Sequence, residues 1–403
     1  MTTLRSTVLS AAVFVVASAA SAQSYVDLIE SRNAMRGFSR LFMVEAGSIS
    51  TMADGRDRPG TAVGDLRADR GLENEISWDG RIYYRDDQVG GRRGTLEAYA
   101  GRDGIFGAFS DGKLVGDDTI TRLEFRGRPW QFYRDGFYVG DTLRRNGFYE
   151  GSDYEGYLGV GREASDGIYM EFGPYYKRFS FRNPDRTSLL QSDFVLPEDF
   201  AAYGGRLYIE QRALQMDRRR GVPKAGYVLT LTGEREWNDS NAEFGRIGLY
   251  STELPNAVWR ARGRLEWYIP AGDGVAMEVF VHGGWQDEKD RLQNTEGQRP
   301  LGNQWGDGQV RLRWSLTESW DVIPFGELQY SRTLNEFGVD PKRKFFIGGG
   351  LETYLHFGES LSLHGSYSYM NNDNRPSVLI DRDVHAEHVF YLGMVLRIGI
   401  QRR

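Results

Sequence analysis

Phe390-Tyr391-Leu392-Gly393-Met394-Val395-Leu396-Arg397-Ile398-Gly399-Ile400-Gln401 decides how the rest of this 403-residue chain is read. Its even positions, Phe390, Leu392, Met394, Leu396, Ile398 and Ile400, are all large and apolar. Its odd positions are Tyr391, Gly393, Val395, Arg397, Gly399 and Gln401. Successive side chains of a strand point to opposite faces, so a sustained period of two predicts a strand with one apolar face. Strands in globular proteins usually run about 5–6 residues. This stretch is long enough to cross a bilayer at a tilt, which takes about 9–11.

The pattern recurs upstream. Leu361, Leu363, Gly365, Tyr367 and Tyr369 alternate with Ser362, His364, Ser366 and Ser368. Val310, Leu312, Trp314 and Leu316 alternate with Gln309, Arg311, Arg313 and Ser315. Val275, Met277, Val279 and Val281 alternate with Glu278 and His282, and Trp259, Leu265 and Trp267 with Arg260, Arg262, Arg264 and Glu266. Trp259 and Trp267 share a face eight residues apart. That is about 26 Å of strand, or roughly 20 Å along the normal at a tilt near 40°, close to the ~25 Å apolar band between aromatic girdles. Tyr227 and Trp237 are spaced similarly.

The connections alternate in length. Asn371–Val384, Leu334–Arg343, Asp287–Asp307 and Asn238–Asn256 are long; His356–Ser360, Thr317–Ser319, Pro270–Gly274 and Asp217–Lys224 are short. Long loops at one end and tight turns at the other are the rhythm of an antiparallel up-and-down transmembrane β-barrel. Earlier in the chain, strands are expected at Leu41–Met52, Glu75–Tyr84, Gly94–Gly101, Thr119–Arg126, Pro129–Val139, Asp153–Glu163, Ile168–Arg182 and Tyr203–Gln215. The count is about 12–16, and even.

Composition agrees. Aromatic residues make up 13% of the chain and glycine contributes 50 residues, a mix suited to girdled, twisted strands. With no cysteine there is no disulfide framework, thiolate metal site or lipoprotein anchor. A net charge of -6 argues against nucleic-acid binding. Arg5, the apolar run Val8–Ala17 and Ala20-Ser21-Ala22 before Gln23 read as a cleaved secretory signal peptide. The expected division is a signal peptide over 1–22, a short periplasmic segment over 23–40 and a barrel over 41–403.

Phe390–Gln401 resembles the C-terminal assembly signal of bacterial outer-membrane barrel proteins, although this chain ends Gln401-Arg402-Arg403 and not on an aromatic residue. The resemblance implies a porin-like barrel in the outer membrane, with the barrel-assembly machinery, lipid and lipopolysaccharide as partners. Asp217, Arg219, Pro223 and Gly226 resemble the D-x-R…P-x-x-G turn of surface-antigen superfamily barrels, which include outer-membrane insertases and two-partner secretion transporters. That resemblance implies a translocation or insertion barrel.

The polar parity supplies the candidate lumen-lining residues: Arg260, Arg262, Arg264, Glu266, Glu278, His282, Arg311, Arg313, Glu327, Glu352 and His364, with Glu234 and Glu236 beside them. Arginine on the lipid face costs about 2–4 kcal/mol near the midplane, so the arginine ladders are assigned inward. The main reading is a passive channel or exporter pore for small solutes or polymers, with no catalysis and no cofactor, in which unpaired arginines favour anions if the lumen is wet; the alternative for the same residues is an interior salt-bridge network that fills the lumen, with Glu266 and Glu278 placed for partial pairing. A hydrolase is the rival, with His364 or His282 as base; Asp86-Asp87 and Asp117-Asp118 are paired carboxylates without an adjacent histidine. Asp381, Asp383, His385 and His388 could hold a metal, but charged surface loops are commoner, and none is assigned. Gly348-Gly349-Gly350 lacks the GK[ST] of a phosphate loop.

Overall fold

The computed structural model describes residues 38–53, 73–89, 94–101, 104–112, 119–139, 142–165, 167–182, 194–217, 222–246, 250–287, 303–333, 342–371 and 386–401. The expected signal peptide, Asp117-Asp118, Arg219 and Asp381–His385 lie outside these residues. The strands are β1 (Phe38–Ala53), β2 (Glu73–Gln88), β3 (Gly94–Gly101), β4 (Gly104–Asp111), β5 (Ile120–Val139), β6 (Thr142–Ser165), β7 (Ile168–Arg182), β8 (Phe194–Val195), β9 (Phe200–Asp217) and β10 (Val222–Asn238). They continue as β11 (Glu243–Arg246), β12 (Tyr250–Glu253), β13 (Ala257–Gly272), β14 (Val275–Gln286), β15 (Gln304–Thr317), β16 (Trp320–Thr333), β17 (Lys342–Phe357), β18 (Leu361–Asn371) and β19 (Ala386–Gln401).

All but β8, β11 and β12 form one closed antiparallel barrel of sixteen strands, each paired with its neighbours in chain order. The ring is sealed by β1 against β19, in register from Phe38↔Gln401 to Ala53↔Glu387. The alternation read from the sequence is the alternation of exposure. On β13, Trp259 is 53% exposed while Arg260 is 4% exposed, and Trp267 is 48% exposed while Glu266 is 2% exposed. On β19, Met394, Ile398 and Ile400 are exposed while Tyr391 and Val395 are buried. The outer face is therefore apolar and the inner face largely polar, with an apolar cluster of Leu41, Met43, Tyr83, Tyr99, Phe106 and Val395 beside the seam. Trp237, Trp259 and Trp285 ring the long-loop end, with Arg235 lying over Trp237 and Trp259 at 5.5 and 4.9 Å.

Three expectations need correction. Thr119–Arg126 and Pro129–Val139 are one strand, β5; a bulge after Arg128 absorbs Pro129, which can donate no ladder hydrogen bond. β4 was not expected. Its sequence, Gly104-Ile105-Phe106-Gly107-Ala108-Phe109, is apolar or small on both faces, so no alternation marks it. Several connections are also shorter than read: β15 starts at Gln304, β17 at Lys342 and β10 at Val222. Gly226 takes φ +102°, and a Cβ there would lie 1.8 Å from the Ala213 carbonyl oxygen, so the turn into β10 requires glycine. Gly348–Gly350 lie inside β17, not in a loop.

Candidate functional site: the inner wall and its lid

Polar side chains of the inner face pair with one another across neighbouring strands. On one side, Arg85 of β2 meets Glu97 of β3 at 2.6 Å, and Glu97 meets Arg122 of β5 at 3.6 Å. Arg122 holds Glu124 at 2.7 Å, and Glu124 approaches Arg206 of β9 at 3.9 Å. Arg206 donates to Glu155 of β6 and Glu234 of β10, each at 2.7 Å. Lys177 of β7 lies 3.2 Å from Glu236, which takes a two-pronged bond from Arg260 of β13 at 2.8 and 2.9 Å. The belt thus runs unbroken from β2 to β13.

Two further clusters extend it. Glu278 of β14 accepts from Arg311 at 3.1 Å and Arg313 at 2.7 Å, both on β15. Arg311 reaches past β16 to grip Glu352 of β17 with two bonds of 2.6 and 2.8 Å. Beside the seam, Glu45 of β1 holds Arg81 at 2.8 Å and lies 3.2 Å from His364 Nδ1 of β18.

Tyrosines complete the lattice. Tyr83 donates to Glu97, Tyr157 to Glu171, Tyr175 to Glu236, Tyr208 to Glu210, Tyr268 to Glu266 and Tyr391 to Glu45. Buried carboxylates are costly unless hydrogen-bonded, and here the rings supply donors as well as apolar cover. Arg206 is sandwiched over Tyr157 and Tyr175 at 5.0 and 5.1 Å.

All eleven residues singled out from the sequence point to the inner face, but they do not form a field of free cations. Arg260, Arg311 and Arg313 have the carboxylates just named; Arg264 bonds Glu266 at 2.9 Å, and Arg262 lies 3.5 Å from Glu234. The geometry is that of the paired network and not of unpaired arginines in a wet lumen; most of the partners sit on other strands. Glu327 contacts Gln329, two residues along β16. His282 lies 3.9 Å from Asp307 and edge-on to Trp305. His364 stacks on Tyr354 at 4.2 Å. Arg206, Lys177 and the tyrosines were missed. The available signal was the i±2 placement of Tyr208 with Glu210 and Tyr268 with Glu266.

One histidine not singled out has more company. His356, at the end of β17, pairs across to Ser362 in the β17–β18 register. Its Nδ1 is 2.8 Å from Ser362 Oγ, and its Nε2 is 3.3 Å from Asp321 Oδ2.

The long-loop end is partly covered. β11 pairs with β12, and with β8 from the preceding long loop, in a small separate sheet. Phe194, Phe244 and Leu254 of these loops pack against the inward-facing Tyr149, Phe179, Phe200 and Ala202. Asp239 ties the lid to the wall: its Oδ1 accepts from the Ala201 amide at 2.7 Å, and its amide donates to the Ala201 carbonyl.

No protein-family model and no curated protein matches this chain. Among solved structures, CdiB from Acinetobacter baumannii superposes with a TM-score of 0.53 at 11% identity, over 89% of this chain and 60% of its own. BamA from Haemophilus ducreyi lacking POTRA domains 1-3 superposes at 0.51 and 12% identity, over 90% of this chain and 70% of its own. The fold is that of an outer-membrane barrel. The chain spans less than two thirds of CdiB's length. In outer-membrane barrels the long-loop end is extracellular and the tight-turn end periplasmic; here the lid lies at the long-loop end and the His356 cluster at the tight-turn end.

Proposed function

We propose that this outer-membrane barrel is a passive conduit, a pore or translocator for small solutes or polymers that performs no chemistry on them. The observation that supports it is the closed sixteen-strand wall with a polar inner face. Barrels of about this size leave an aqueous channel. Because the inner arginines and glutamates are paired, selectivity is set by a balanced wall and is weak.

Planar-bilayer conductance of the refolded protein tests this. Wild type is expected to conduct with little preference between anions and cations. Replacing 240–253 with a short Gly-Ser connection removes most of the lid and is expected to raise conductance. Reversing Arg262, 18% exposed at the side chain, to glutamate is expected to shift preference toward cations. No conductance from either wild type or the lid-less variant rejects the conduit.

A second reading, a hydrolase at the periplasmic mouth, rests on Ser362, His356 and Asp321. A hydroxyl donating to a histidine, itself oriented by a carboxylate, is the arrangement of an activated nucleophile. A fluorophosphonate probe should then label the barrel, and Ser362→Ala should abolish labelling. Absence of labelling in protein that keeps its heat-modifiable gel mobility, or labelling that survives Ser362→Ala, removes this reading.

A further inference from the structure

The barrel wall has one low section. β3 and β4 have eight residues each, and their hairpin turns between the paired residues Gly101 and Gly104. Eight residues span about 23 Å of strand, or roughly 18 Å along the normal at a 40° tilt, which is short of the ~25 Å apolar band. The flanking strands run on. β2 pairs with β3 only from Arg81 to Asp86, and β5 pairs with β4 only from Thr121 to Gly127. Beyond these, among the described residues, Glu73–Gly80 of β2 pair only with β1, and β5 from Arg128 to Val139 pairs only with β6. Two strand edges therefore face each other across a notch at the extracellular side.

The chemistry around the notch is that of a lipid contact. Trp78 and Ile76 on the β2 flank are the two most exposed large apolar side chains described, at 83% and 72%. The outer surface beneath carries the small residues Ala98, Ala100, Gly107 and Gly127 around Ile105, itself 39% exposed, between Ile82 and the pair Leu123 and Phe125. Behind it, on the inner face of β5, stand Arg126, bonded to Glu124 at 2.6 Å, and Arg128, bonded to Asp153 at 2.7 Å, their side chains 20% and 17% exposed. Pro129 sits in the bulge where β5 loses its β4 partner, a position that needs no backbone donor. Meanwhile the lid covers the axial mouth over β6, β7 and β9.

We propose that this notch is a lateral portal through which a lipid amphiphile with an anionic head group passes between the outer leaflet and the lumen, its chain against Trp78 and Ile76 and its head exchanging with Glu124 and Asp153 for Arg126 and Arg128. The proposal rests on the conduit reading for the lumen it opens into.

The chain has no cysteine, so an introduced one is a unique handle. Bimane is placed on Asp79→Cys, on the inner face at the notch, and on Gln309→Cys, on the inner face of β15, in liposomes containing phosphatidylglycerol with a nitroxide on its chain. Quenching at Asp79→Cys is expected to be several-fold stronger than at Gln309→Cys, and weaker when the nitroxide is carried by phosphatidylcholine. Adding Gly80→Trp, where a Cβ meets nothing nearer than 3.9 Å, fills the notch and should abolish the difference. Equal lipid quenching at both sites, or quenching unchanged by Gly80→Trp, overturns the portal. Aqueous iodide separates the two ideas: failure of iodide to quench either site counts against the conduit, while the lipid contrast alone decides the portal.

Discussion

Replacing Arg206 with methionine is expected to lower the unfolding free energy of the refolded barrel by about 3–5 kcal/mol, the usual cost of leaving buried charges without their partner. Arg206 joins Glu155, Glu234 and, more distantly, Glu124, and is held between Tyr157 and Tyr175. Without it, Glu155 keeps Lys177 at 3.4 Å, and Glu234 keeps only longer contacts to Arg260, Arg262 and Lys177 of 3.5–4.0 Å. Adding Glu155→Gln and Glu234→Gln should recover much of the loss, because neutral amides need no counter-charge. Urea titration in liposomes measures both. A loss under about 1 kcal/mol, the range of solvent-exposed ion pairs, would show that water bathes the belt and that the pairs are not structural.

Leu265→Arg is the second large effect. Leu265 lies on the outer face of β13 between Leu229 and Val281 of the adjacent strands. Gly263 is midway between Trp259 and Trp267, so Leu265 lies about 5 Å from the midplane along the normal. Arginine there is expected to cost about 2 kcal/mol, the lower end of the midplane range. Arg262→Leu on the inner face should cost less, since Glu234 keeps Arg206 at 2.7 Å. The reverse order of the two effects would mean that β13 is displaced by one residue, which exchanges its faces.

The contrast between these residues marks how far the sequence could be read. Leu265 was legible because membrane strands write their outward face as a strict period of two. Arg260, Arg262 and Arg264 were legible as the other parity. Arg206 was not: Arg206, Tyr208 and Glu210 make a short mixed run, and the residue matters because of Glu155 and Glu234, which the pairing of β6, β7, β9 and β10 brings near. The bond from Arg311 to Glu352 spans 41 positions, and Glu45 meets His364 across the seam. The lid was hidden for the same reason, since β8 and β11 come from different loops and have two and four residues. β5 was split because Pro129 interrupts a strand that the bulge repairs.

The seam has a consequence in time. Ile400 pairs with Arg40 and Glu387 with Ala53, so β19 is the strand that completes β1. Until β19 arrives, β1 and β18 each present an open row of backbone donors and acceptors, a template for pairing with any passing strand. Contacts between the two ends of so long a chain are also the slowest kind to find unaided. The sixteen residues of β19 thus cover two edges at once, and a barrel without them is an open sheet.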